Sequence, residues 1–217
     1  RQRQMCIRDR GNVLDIAQLS GKKLRFNNFN DMYSALSISS LLPKNTGTVI
    51  VKHSNPCGVS AVKNKLDSFN LAFKCDPVSA FGGIVSCNFK INEKIATKIN
   101  KTFFEIIIGK GFDSKAMKIL KRKKNLRLID SRNFKANGVL DVKSNFNNFL
   151  LQNIDLDSSS NNFKVVSKIK PSKDTLKNLI FAFNVCKYVK SNAIVLSKNY
   201  STVGIGSGQS SRIDSCK

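Results

Sequence analysis

An alternation constrains this chain most: short runs of β-branched and aliphatic residues take turns with segments whose apolar positions recur every three or four residues. Thr48-Val49-Ile50-Val51 reads as a buried strand, as do Gly83-Ile84-Val85-Ser86, Phe104-Glu105-Ile106-Ile107-Ile108 and Leu126-Arg127-Leu128-Ile129. Between them lie helical patterns. One is capped by Asn30 or Asp31 and runs to about Leu42, and others cover residues 66–74, 92–100 and 113–122. Apolar strands joined by amphipathic helices predict an α/β domain.

The pattern weakens over residues 131–163, where asparagine, serine and lysine dominate and only the patches at 139–142 and 149–154 look structured, so a lobe boundary is placed there. A strand is expected at 165–169. Pro171-Ser172 then opens a helix with a stripe of Leu176, Leu179, Ile180 and Phe183 that ends near Lys190, and strands follow at 193–196 and 202–205. Residues 1–10 have no amphipathic period and read as a tag, an assembly scar or a disordered native tail.

With 217 residues and 41% hydrophobic content the chain can bury a core. No apolar run approaches the roughly 20 residues of a membrane span, and no apolar stretch follows the charged N-terminus, so a soluble cytoplasmic protein is expected. Lys and Arg number 37 against 14 Asp and Glu, a formal charge of +23. That excess raises nucleic acid as a partner. The basic residues are spread along the chain, however, and the dense run Lys121-Arg122-Lys123-Lys124 has no aromatics interleaved for stacking. Two readings stay open, compositional drift over a solvated surface or a preference for anions. The six cysteines contain no C-x-x-C pair, so a structural zinc site is not expected and the thiols read as reduced packing residues.

Chemistry concentrates at Val51-Lys52-His53-Ser54-Asn55-Pro56-Cys57-Gly58. A strand ending in Lys-His and running into turn formers places two ionisable groups at the carboxy edge of a sheet, where open α/β sheets bind ligands, with a bend expected just after His53. A lone histidine is more often an ordinary surface or core residue, and the adjacent lysine and the strand-end position argue against that here. The zinc deaminase signature is not met, because Asn55 replaces the proton-shuttling Glu and Ser60 replaces the second cysteine. Asp76-Pro77-Val78-Ser79-Ala80-Phe81-Gly82-Gly83 is a turn-rich loop that could approach a ligand or simply turn. The segment Thr202-Val203-Gly204-Ile205-Gly206-Ser207-Gly208-Gln209-Ser210-Ser211-Arg212 could cradle an anion, but fits neither the dinucleotide fingerprint nor the P-loop.

These motifs, with 104–108 and Lys187-Tyr188-Val189-Lys190-Ser191-Asn192-Ala193-Ile194-Val195, stand in the order and spacing of one family. From about residue 14 to the end the chain resembles the 5-aminoimidazole-4-carboxamide ribonucleotide (AICAR) formyltransferase domain of the bifunctional enzyme that also carries IMP cyclohydrolase. The resemblance implies a cytidine-deaminase-like three-layer α/β/α fold in two lobes with the second truncated: residues 1–10 a leader, 11–150 the first lobe, 151–217 a linker and incomplete second lobe. It implies a homodimer sharing its active sites, with AICAR and the co-substrate 10-formyltetrahydrofolate as ligands and no metal.

The implied reaction moves a formyl group to the 5-amino group of AICAR. That amine is a poor nucleophile, its lone pair being conjugated with the imidazole and carboxamide, so a base is needed, and an imidazole suits the task. The resemblance casts His53 as the base, Lys52 as oxyanion stabiliser and donor to the leaving folate nitrogen, and Asn192 as the group orienting base or carboxamide. Asn28, Ser79, Phe81, Gly82, Glu105 and Arg212 are implied to line the nucleotide pocket. The chain departs from the family by lacking the cyclohydrolase domain, an Arg-Tyr-Gly-Glu-Asn segment upstream and a Phe-Pro-Phe-Arg-Asp-like folate segment downstream. The fragment alone is therefore expected to be inactive. The alternatives are a basic nucleic-acid-binding module and an inactive truncated product.

Overall fold

The structure, a computed structural model, describes residues 16–135, 140–145, 147–154 and 163–217; residues 1–10 and Val139 lie outside these. In chain order the elements are β1 (Ala17–Ser20), α1 (Phe26–Leu41), β2 (Thr48–Lys52), β3 (Asn55–Ser60), α2 (Lys65–Cys75), α3 (Pro77–Ala80), β4 (Ile84–Cys87), α4 (Glu93–Ile99), β5 (Ile106–Gly109), α5 (Ser114–Leu120), β6 (Arg127–Asp130), β7 (Leu140–Asn145), β8 (Asn148–Asn153), α6 (Lys173–Cys186), β9 (Ile194–Lys198), β10 (Ser201–Gly206) and α7 (Arg212–Cys216). Eight strands form one sheet in the order β1-β6-β5-β4-β2-β3-β10-β9, and β7 and β8 pair as a separate hairpin. β4, β5 and β6 are parallel, while β2 runs antiparallel to both β4 and β3.

Period-two alternation in the apolar strands divides the core into two layers. Val49 and Val51 of β2, and Ile106 and Ile108 of β5, pack with Met32, Ala35, Leu36 and Ile38 of α1 and with Phe181 and Val185 of α6. Ile50 and Ile107 point the other way, into a cluster with Phe69 and Ala72 of α2, Ile95, Ala96 and Ile99 of α4, and Ala116 and Leu120 of α5. The α/β expectation is met as a three-layer arrangement, with helices on both faces of a mixed sheet. Each fully buried Phe or Ile contributes about 1.5–3 kcal/mol of hydrophobic stabilisation. Among the described residues no helix is long and apolar enough to cross a membrane.

Asn92, Asp113 and Ser172 cap α4, α5 and α6 by accepting backbone N–H groups, as the sequence signals indicate, and Asn64 caps α2 in the same way. α1 is the exception. It begins at Phe26, four residues before the expected cap, with Arg25 at the cap position. Asn28 and Asp31 consequently lie inside the helix, three residues apart on one face.

Two further readings are corrected. Asn55-Pro56-Cys57-Gly58 is not a turn but the start of β3. Gly58 is there because α2 crosses against the strand so closely that a Cβ would collide with the Ala72 carbonyl oxygen, and Pro56 sits at a register irregularity. Residues 165–169 form no strand: Val166 is 94% and Ile169 85% exposed, and the segment pairs with neither sheet. Edge strand β1 was not anticipated, since it is only four residues long and mostly exposed. β9 and β10 belong to the same sheet as the strands before them. Val59 N–H donates to Thr202 Oγ1 at 2.9 Å and the Ser60 and Ser201 hydroxyls meet at 2.7 Å.

Candidate functional site

The β2–β3 hairpin closes through two residues, His53 and Ser54, between the paired Lys52 and Asn55. Both carry positive φ, 51° and 62°, as a type I′ turn requires and as neither residue type readily provides. The bend therefore falls on His53 itself, not after it. Ser54 N–H donates to Asp31 Oδ1 at 2.6 Å, and the Ser54 hydroxyl lies 3.3 Å from the same oxygen. Asn55 braces the other side: its amide donates to the His53 carbonyl at 3.3 Å and its Oδ1 accepts Lys190 N–H at 3.0 Å. Lys52 Nζ donates to the Phe81 carbonyl at 2.9 Å, while the imidazole of His53 is exposed.

Because β2 opposes β4, its carboxy end meets the amino ends of β4, β5 and β6. The expectation of a site at the carboxy edge is thus corrected: that rule holds for parallel sheets, and here β2 is reversed. A cavity of about 580 Å³ opens at this edge, lined by Lys52, His53, Asn28, Asp31, Gly82, Phe103, Glu105 and Arg127, with Lys22, Arg25, Lys123 and Lys124 on its wall. Both carboxylates are engaged, Asp31 by Ser54 and Glu105 by Asn28 Nδ2 at 3.2 Å and Arg127 at 3.7 Å. Buried Arg127 also donates through Nε to the Lys22 and Lys23 carbonyls at 3.1 and 3.2 Å. Burial lowers the pKa of its guanidinium, Glu105 works the other way, and Arg25 adds to the depression. Six cations against two committed carboxylates suit an anionic ligand.

A second cavity, about 370 Å³, lies on the other side of the turn, with Lys52, His53, Asn55, Cys57, Asp76, Ser79, Ile205 and Ser207 on its walls. Asp76 caps α3 by accepting Ser79 N–H at 2.9 Å. Burial, with Asp76 adding to it and Lys52 opposing, pushes the Cys57 thiol up to about 12, so it is not a thiolate nucleophile near neutral pH. The glycine-rich segment reaches this cavity through Ile205 and Ser207, and Gly208 N–H donates to the Lys190 carbonyl at 2.7 Å.

Of the residues singled out in sequence, Lys52, His53, Asn28, Gly82 and Glu105 meet at the first cavity and Ser79 at the second. Phe81 contributes its carbonyl to Lys52, and its ring lies 5.4 Å from that of Phe103. Gly82 takes a positive φ of 74° and donates to the Phe103 carbonyl at 2.9 Å. Asn192 and Arg212 line neither cavity. Asn192 Nδ2 donates to the Gln209 and Ser210 carbonyls at 3.0 and 3.1 Å, and Arg212 is exposed at the start of α7. Sequence reasoning missed Asp31, Arg25, Lys22 and Arg127 as site residues, and read Lys123 and Lys124 as part of a surface run. The signal available was Arg127 itself, a cation at the head of a buried strand. Among the described residues no group of three or more His, Cys, Asp or Glu side chains converges as a metal site would need.

A three-layer α/β/α domain with a cationic cavity beneath a Lys-His turn is the class that fold and site define. The chain belongs to the AICARFT/IMPCHase bienzyme family, whose model matches residues 1–217. It is 45% identical over 199 residues to the bifunctional purine biosynthesis protein PurH of Leptospira biflexa, covering 91% of this chain and 39% of that one. It is 42% identical over 211 residues to the Acetivibrio thermocellus protein of the same name, 95% and 41% of the two chains. Against the one from Buchnera aphidicola of Acyrthosiphon pisum it is 43% identical over 219 residues, 100% and 41%. The chain thus spans about two fifths of the length of these relatives.

Proposed function

We propose that this chain carries the base-bearing part of a purine-biosynthesis enzyme that transfers the formyl group of 10-formyltetrahydrofolate to the 5-amino group of AICAR. One observation carries the reading: Lys52 and His53 stand side by side on a braced turn over a cationic cavity lined by Asn28, Gly82 and Glu105. The amine nitrogen attacks the formyl carbon while His53 takes its proton. The carbonyl electrons move onto oxygen, and Lys52 Nζ, already aimed at a carbonyl oxygen, stabilises that charge. On collapse the bond to the folate nitrogen breaks, that nitrogen takes a proton from the Lys52 ammonium, and the proton held by His53 returns the lysine to its charged form. The cations on the cavity wall give a phosphate-bearing substrate a favourable field.

In this reading the working unit is a cytoplasmic homodimer in which Asn192 and Arg212 serve a site completed by a second copy, and IMP cyclohydrolase activity belongs to a domain outside this sequence. Calorimetry tests the ligand class. The 217-residue chain is titrated with AICAR and, separately, with a random DNA duplex. Saturable AICAR binding supports the proposal. Salt-dependent duplex binding without AICAR binding would replace it with a nucleic-acid module.

A further inference from the structure

Two consecutive non-glycine residues with left-handed φ are costly, of order 1–3 kcal/mol each, and persist only where their surroundings over-determine them. At His53-Ser54 one of those constraints comes from outside the hairpin, from α1. A type I′ turn uses the N–H of the residue after the loop for its own closing bond and leaves the N–H of the second loop residue free. Here that free N–H, on Ser54, is taken by the Asp31 carboxylate at 2.6 Å. Asp31 is half-buried on α1, one turn beyond Asn28 on the same face, and both line the first cavity.

The sheet holds its own control. The β9–β10 hairpin closes through Asn199 and Tyr200, with φ of 50° and 56°. There too the N–H of the second loop residue, Tyr200, is accepted by a helix side chain, Asn178 Oδ1 of α6, at 2.8 Å. The same device recurs with a neutral amide.

We infer that Asp31 is a positioning residue that fixes the His53 turn over the cavity by accepting the Ser54 N–H; its catalytic consequence rests on the formyl-transfer reading. A hydrogen bond to a charged acceptor is stronger than one to a neutral group, and the Asn178 example shows that an amide oxygen has the right geometry.

The test exploits the single histidine of the chain, whose ring C–H resonance in NMR reports on this turn alone. In the unaltered protein the Ser54 amide exchanges with solvent at least about tenfold more slowly than an exposed loop amide, and rapid exchange there overturns the inference without any variant. Asp31→Ala accelerates Ser54 exchange about tenfold or more and moves the His53 resonance, and Asp31→Asn restores both. An unchanged exchange rate and His53 resonance in Asp31→Ala also overturns it. In a chain extended to the length of the relatives, Asp31→Ala lowers kcat for formyl transfer by about 10²-fold with KM for AICAR little changed. A shifted turn with unchanged kcat leaves Asp31 holding the turn and counts against the formyl-transfer reading instead.

Discussion

Two hairpins of one sheet, β2–β3 and β9–β10, share a two-residue loop with positive φ at both positions and a helix side chain on the second N–H. They differ in what surrounds the loop. Tyr200 packs against the core and its carbonyl accepts Ala61 N–H at 2.8 Å, so the second turn seals the end of the sheet. His53 stands exposed between two cavities, and its turn is held by a carboxylate instead of an amide. Turn geometry therefore does not mark the site. What sets the candidate site apart is a strained turn left facing concave, cationic space.

The comparison is broken most severely along the strands. Gly58→Ala in β3 forces a Cβ into the Ala72 carbonyl and should cost more than about 3 kcal/mol, enough to leave much of the chain unfolded. Gly204→Ala in β10 meets only Leu196 Cδ1 at 3.8 Å and should change stability by less than about 1 kcal/mol. Chemical denaturation of the two variants side by side decides this.

At the turns, Asn178→Ala should lower stability by about 1 kcal/mol and leave the His53 resonance in place, whereas Asp31→Ala moves that resonance. If Asn178→Ala shifted His53 as much, the two turns would not be independent.

The thiols offer a milder contrast. Burial pushes Cys57, on β3, and Cys87, on β4, up to about 12, with Asp76 adding to the first and the Thr48 hydroxyl opposing in the second, while Cys216 on α7 is exposed. Iodoacetamide near pH 8 should label Cys216 and spare Cys57 and Cys87 in the folded chain, read by peptide mass spectrometry. Prompt labelling of Cys57 would mean that the first hairpin opens.

The smallest effect concerns Asp76. Burial works against its ionisation, but hydrogen bonds from the Ser79 hydroxyl and N–H and from Val78 N–H outweigh that and hold its carboxyl below the ordinary range. A depressed carboxyl contributes stability above its unfolded value of about 3.9 and loses it as pH falls through the folded value. The stability gap between the wild type and Asp76→Ala, about 0.5–1 kcal/mol near neutrality, should therefore close below about pH 3.9. A gap that widened on acidification would reverse the assignment.

Much of the fold was legible because buried strands write themselves as β-branched runs and helices announce their caps, as at Asn92, Asp113 and Ser172. What misled was glycine and proline in β3, where Gly58 answers to a neighbouring helix 14 residues away in sequence and not to a turn. Strand direction was equally invisible: nothing in Thr48–Lys52 says that it will run against β4, and that reversal moved the cavity to the other edge. The Lys52-His53 pair, proposed as reactive, was legible through its motif and its neighbours. Asp31 was not, since its role depends on a contact across 23 positions, and it had been read as a helix cap.

The most direct test of the central claim is His53→Ala in a chain extended to the length of the relatives, with formyl transfer and AICAR binding measured on the same preparation. Loss of a positioned base should lower turnover by about 10²–10⁴-fold while leaving AICAR affinity within a few-fold. Turnover close to wild type would remove His53 from the reaction and leave its braced turn as a structural feature of the sheet, like its counterpart at Asn199.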